Sequence, residues 1–143
     1  MSTRHAACNC GQLHLTCEGE PVRISMCHCL ECQRRTGGVF SNQAWFQRQQ
    51  IVDIAGTSTR FMRSSDSGHS VTFRFCPVCG STVYWEAERF ADWIAVAVGG
   101  LRRPNLSRAD LRGLREKAPW LARNELSSPH RAFKLKHRQS SVS

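Results

Sequence analysis

No stretch of this sequence approaches the roughly 20 apolar residues that a membrane helix requires. The amino terminus, Met1-Ser2-Thr3-Arg4-His5, carries no apolar run of secretory-signal type. No period of solenoid type repeats along the chain. Helical patterning is scarce, and neither common ferredoxin spacing of cysteines is present. These absences leave a cytoplasmic protein with reduced thiols as the expectation. The 143 residues fit one domain able to bury about 70% of its unfolded surface.

Positive charge is not spread evenly. Residues 1–100 hold 9 Arg against 8 Asp+Glu, a net of +1, whereas residues 101–143 hold 11 Lys+Arg against 3 Asp+Glu, a net of +8. Basicity therefore belongs to the C-terminal segment. Its polar, unpatterned end, Lys134-Leu135-Lys136-His137-Arg138 and onward, reads as a solvated, flexible tail. We expect a folded domain over residues 1–124 and this tail over residues 125–143. Such a tail also suits anionic partners.

What the chain does have is cysteine. Seven of its 8 cysteines fall into three ligand-spaced groups: Cys8 and Cys10 before Gly11; Cys27, Cys29 and Cys32; and Cys76 and Cys79 before Gly80. Partners one or two residues apart bridge poorly as disulfides, so metal is the better account. Four thiolates make a closed tetrahedral zinc site, and three leave one position open, which a catalytic zinc needs. Two zinc ions per chain are expected. Cys17 alternates with apolar residues and reads as a buried structural thiol. His28 stands between two ligands and is not expected to be one.

Glycine offers a clue to the pairing. Gly11 and Gly80 each let the backbone turn tightly after a cysteine pair, so that amides can point at sulfur. That favours Cys8, Cys10, Cys76 and Cys79 as one closed site. A zinc ribbon of Cys29/Cys32 with Cys76/Cys79 stays open on spacing alone.

Most segments read as short strands. Leu13, Leu15 and Cys17 alternate with polar residues, as do Val22, Ile24 and Met26, and Val71, Phe73 and Phe75. Ala44-Trp45-Phe46, Thr59–Met62 and Thr82–Trp85 are further strands. Trp93–Val98 is a continuous apolar run suited to a buried strand. Leu30–Thr36 reads as one or two helical turns, and Ser107 could cap a short helix. Residues 37–38 and 64–68 read as loops. Trp45, Phe46, Tyr84 and Trp85 are expected in the core. His69 and Glu86 are the weakest candidates, as proton carriers without support from spacing.

Taken in order, Cys8-Asn9-Cys10-Gly11, Cys27-His28-Cys29-Leu30-Glu31-Cys32-Gln33-Arg34-Arg35-Thr36-Gly37 and Cys76-Pro77-Val78-Cys79-Gly80 resemble the glutathione-dependent formaldehyde-activating enzyme family. The resemblance runs over about residues 5–122, to Ala118-Pro119-Trp120. It implies a mainly β domain of the β-tent type, stapled by zinc, with several short antiparallel sheets and little helix. It also implies Cys8, Cys10, Cys76 and Cys79 as structural ligands and Cys27, Cys29 and Cys32 as catalytic ones. The chain departs from the family at Leu111 and Gly113, where similar sequences often carry His and Trp.

Glutathione as thiol and formaldehyde as carbonyl partner follow from the same resemblance. A three-thiolate zinc suits sulfur better than water, so the implied activity is that of a carbon–sulfur lyase forming or cleaving S-hydroxymethylglutathione. Arg34 and Arg35 directly follow the triplet, and guanidinium groups fit carboxylates. They are the candidate substrate contacts. The alternative is a zinc-stabilised module that binds nucleic acid or another polyanion through the basic segment.

Overall fold

The computed structural model describes residues 2–102. The helix expected to start at Ser107, the family departures at Leu111 and Gly113, the boundary at residue 124 and the basic tail lie outside the described residues.

The described chain runs β1 (Thr3–Ala7), β2 (His14–Glu18), β3 (Arg23–Cys27), α1 (Leu30–Thr36), β4 (Ser41–Gln47), β5 (Ile51–Ala55), β6 (Thr59–Ser64), β7 (Ser70–Phe75), β8 (Thr82–Ala87), β9 (Trp93–Ala97) and β10 (Leu101–Arg102). The strands form two antiparallel sheets, one of order β10-β1-β2-β5 and one of order β3-β4-β9-β8-β7-β6. Among the described residues the fold is mainly β with one α-helix, as expected. No helix among the described residues is long and apolar enough to cross a membrane.

Alternation places two apolar sets on opposite faces of the larger sheet. Ala44, Phe46, Ile94 and Val96 pack with Ala6, Leu15 and Cys17 of the smaller sheet. Trp45, Phe73, Trp85 and Ala95 form a second cluster, against which Phe90 and Trp93 pack. This accounts for the unbroken apolar run of β9, a central strand with buried residues in both clusters. Trp45, Phe46, Tyr84 and Trp85 are all buried, and Cys17 is wholly so. Burial pushes the Cys17 thiol up to about 12, which suits an inert core group. The regular spacing of Val22, Ile24 and Met26 is not matched by burial: Val22 and Ile24 are exposed. The reason is that β3 lies at a sheet edge.

One loop contact joins the fold to the first cysteine pair. Gln12 Nε2 donates to Thr57 O at 2.8 Å, and its Oε1 accepts from Thr57 N–H at 2.9 Å. Gly56 beside it has φ +92°, and a Cβ there would lie 1.9 Å from Gln12 O. Neither backbone can yield without breaking the clamp. Gly56→Ala is expected to cost roughly 3 kcal/mol or more, from left-handed strain plus overpacking. Urea unfolding checks this; a change below about 1 kcal/mol would show that the loop relaxes freely.

Candidate metal centres and the adjoining cleft

Two hairpin loops build the first centre. The β1–β2 loop carries Cys8 and Cys10, and the β7–β8 loop carries Cys76 and Cys79. The two loops are alike. Gly11 N–H bonds Cys8 O at 3.0 Å, and Gly80 N–H bonds Cys76 O at 2.9 Å. Both glycines take positive φ, 83° and 74°, a conformation that costs glycine little.

The four sulfurs all lie within 4.8 Å of one another. Cys8 and Cys10 sulfurs are 3.5 Å apart, and those of Cys10 and Cys76 are 3.6 Å apart. Sulfurs about 2.3 Å from one tetrahedral ion would sit roughly 3.8 Å apart. All four cysteines are free thiols. N–H groups are aimed at the sulfurs: Leu13 N–H at Cys8 (3.3 Å), Val78 N–H at Cys76 (3.4 Å) and Gln12 Nε2 at Cys76 (2.9 Å). Asn9 N–H reaches across to Ser81 Oγ at 3.1 Å.

Charge is shared unevenly in this cluster. The Ser81 hydroxyl and N–H hold Cys79 down to about 5. The Gln12 N–H favours a Cys10 thiolate. The Cys8 thiol, burial and the other two sulfurs outweigh it and push Cys10 up to about 12. Four crowded thiols cannot all ionise without a cation, so the donor set fits a metal ion.

The second centre is local. Cys27 ends β3, Cys29 caps α1 and Cys32 lies in its first turn. Their sulfurs also lie within 4.8 Å of one another. The Cys29 sulfur accepts from Cys32 N–H at 3.4 Å. Burial works against a Cys29 thiolate, yet that N–H and the neighbouring thiols lower it overall. Burial, then Cys27 and Cys29, push Cys32 up to about 12. Three sulfurs fit a metal ion and leave a tetrahedral position for another ligand. His28 is not among them; its ring packs edge-on against Phe40, centroids 5.8 Å apart. The zinc-ribbon grouping does not form, because Cys29 and Cys32 join Cys27 instead of Cys76 and Cys79.

Beside α1 lies a cleft of about 440 Å³, lined by Glu31, Arg34 and Arg35 of the helix and by Phe61, Arg63 and Phe73 of the larger sheet, among others. No cysteine of the triplet lines it. A second cleft, about 400 Å³, shares Arg35, Gly80 and Thr82 with the first. Arg34 is exposed and paired with Glu31 at 2.9 Å. Arg35 is partly buried: its guanidinium lies 4.8 Å from the Phe73 ring centre and 4.6 Å from that of Trp85, and Nη2 donates to Ser41 Oγ. Burial disfavours its charge, whereas the Cys32 sulfur favours it. Both arginines expected from sequence therefore face one cleft, in different environments. Glu86 is paired with Arg48 at 3.1 Å, and neither it nor His69 belongs to a sulfur cluster.

Sequence reasoning missed Arg63, Phe73 as a cleft wall and the Gln12 contact to Cys76. No local pattern marks them, since each reaches its place through strand pairing or a loop contact.

Comparison with known proteins supports the same family. No curated protein matches the chain. A crystal structure of a Rhodobacter sphaeroides protein is similar in fold, with TM-score 0.58 and 19% identity, covering 75% of this chain and 94% of that one. The family described as glutathione-dependent formaldehyde-activating enzyme matches residues 3–113 of the 143. The chain belongs to that family.

Proposed function

We propose that the protein is a zinc-dependent carbon–sulfur lyase that joins glutathione and formaldehyde to S-hydroxymethylglutathione and cleaves the adduct in reverse. The observation that carries this is a three-sulfur cluster at the junction of β3 and α1, beside two arginines of that short helix that face a cleft. Cys27, Cys29 and Cys32 would hold the catalytic zinc, and Cys8, Cys10, Cys76 and Cys79 the structural one. When bound, the catalytic zinc would supply a soft Lewis acid that favours the thiolate form of a substrate thiol.

The thiol sulfur adds to the carbonyl carbon of formaldehyde. A C–S bond forms, the C=O π pair moves to oxygen, and that oxygen gains the proton that sulfur loses. Glutathione has two carboxylates, and guanidinium groups bind carboxylates in bidentate fashion. Arg34 is free to exchange its exposed Glu31 partner for substrate. Arg35 is fixed by two aromatic rings and Ser41, and so would hold its part of the substrate with little loss of side-chain freedom. Eight free cysteines fit a reducing cytoplasmic setting.

Elemental analysis of protein purified without chelator is expected to approach two zinc ions per chain. Proton NMR is expected to show formaldehyde and glutathione converting faster with protein than without it. A reproducible value near one zinc, with the triplet thiols freely titratable, would overturn the proposal.

A further inference from the structure

Arg63 stands in the cleft without having been singled out by any motif. It lies on β6, and β6, β7 and β8 pair so that Phe61, Phe73 and Trp85 are in register. Cross-strand partners share a face, and residues two apart on a strand share it as well. Phe61, Arg63 and Phe73 therefore lie on one face, with Arg34 and Arg35 of α1 around the same cleft.

The aromatic groups order the cations. The Arg63 guanidinium lies 5.8 Å from the centre of the Phe73 ring, and that of Arg35 lies 4.8 Å from it. Two guanidinium groups thus share one phenyl ring, although like charges repel. Arg35 is further held by Trp85, whose ring centre lies 5.7 Å from that of Phe73. Among the described residues, Arg34 has a carboxylate partner in Glu31, whereas neither Arg35 nor Arg63 has one. The Arg63 bond to Ser64 O at 3.0 Å uses Nη1. The Nε of Arg35 is buried and has no hydrogen-bond partner among the described residues. Two cations without a carboxylate partner among the described residues are thus held close beside an apolar wall, next to the cysteine triplet, whose sulfurs favour their charge.

We propose that Arg35 and Arg63 form a carboxylate subsite, with Phe73 as the residue that positions both. The inference rests on the proposed thiol substrate only for the identity of the anion, a carboxylate of a peptide-like thiol. It adds a substrate-binding residue, Arg63, from β6, a strand well beyond the cysteine triplet in sequence. Arg63 binds the carboxylate directly. Phe73 touches neither substrate nor metal in this role; it steers the two cations by cation–π contact.

The test uses the zinc-loaded full chain and S-methylglutathione, which keeps both carboxylates but has no free thiol. Isothermal titration calorimetry compares it with its dimethyl ester. The wild type is expected to bind the acid at least tenfold tighter than the ester. Arg63→Gln is expected to weaken the acid about tenfold and to reduce its advantage over the ester to twofold or less. Arg63→Lys is expected to recover part of that advantage, because charge remains but the planar fork is lost. Phe73→Leu is expected to weaken the acid severalfold while leaving ester binding unchanged. Zinc content and circular dichroism verify that the variants are folded.

Three results would overturn the inference: acid and ester bind the wild type alike, the acid does not bind at all, or Arg63→Gln keeps the wild-type preference. The proposed reaction fails on a different readout. If S-methylglutathione binds in an Arg63-dependent way but formaldehyde and glutathione are not turned over, the subsite stands and the reaction falls.

Discussion

Replacing Cys76 by serine is expected to yield a chain that does not fold. Cys76 is fully buried, and its sulfur meets the sulfur of Cys10, the Val78 N–H and the Gln12 amide. Structural zinc sites supply about 10–16 kcal/mol of apparent folding free energy. A typical domain has a net stability of only about 5–15 kcal/mol. Losing one of four ligands therefore puts most of the available stability at risk. Serine would also leave a hydroxyl in a fully buried position shaped for sulfur. The expected result is loss of both zinc ions, poor NMR dispersion and aggregation. A folded Cys76→Ser protein that retains native far-ultraviolet circular dichroism would mean that the two hairpin loops hold together without metal.

Cys29→Ser is expected to do the opposite, sparing the fold and abolishing the reaction. Serine is a preferred helix N-cap, so it can accept the Cys32 N–H that the Cys29 sulfur accepts now. It is a poor replacement as a soft zinc ligand. Zinc should fall from about two ions to about one per chain. Melting should shift by only a few degrees, and glutathione-dependent formaldehyde consumption should drop to the uncatalysed rate. Unfolding as complete as that of Cys76→Ser would argue against separate structural and catalytic roles. Undiminished turnover would remove the triplet from the chemistry.

The cysteine groups, the helix Leu30–Thr36 and most strands could be read from sequence because their determinants are local. Ligand spacing, a glycine after each pair and apolar alternation all act within a few residues. Three strands carry no such mark. In β1 only Ala6 is buried, and the remainder is Thr3, Arg4, His5 and Ala7. In β5, Val52 and Ile54 are exposed, so its residues do not present a clean buried face. β10 spans two residues. Each is a strand because of its neighbour, through pairing of β1 with β10 and β2, and of β2 with β5. The edge position of β3 likewise depends on the order of the whole sheet.

The candidate site divides in the same way. Its cysteine groups were legible, and the choice between two groupings became clear only when distant hairpin loops met. Arg34 and Arg35 were legible from their place after Cys32. Arg63 was not, because its relation to Arg35 exists only through the ring of Phe73 and the β6–β7 register.

Holding one metal ion, the four-sulfur cluster would also close the chain into a ring. Cys10 and Cys76 are 66 residues apart in sequence, and Cys27, Cys29, Cys32, Arg34, Arg35, Arg63 and Phe73 all lie between them. The entropy of closing a ring grows only with the logarithm of its length, so doubling the length costs about 0.6 kcal/mol. Turns within the ring, such as the exposed Ser65–Gly68 turn between β6 and β7, can lengthen or diversify at small thermodynamic cost. The clasp and the enclosed segment can then evolve at different rates: a shared metal ion would fix the knuckles, while the segment between them is free to vary.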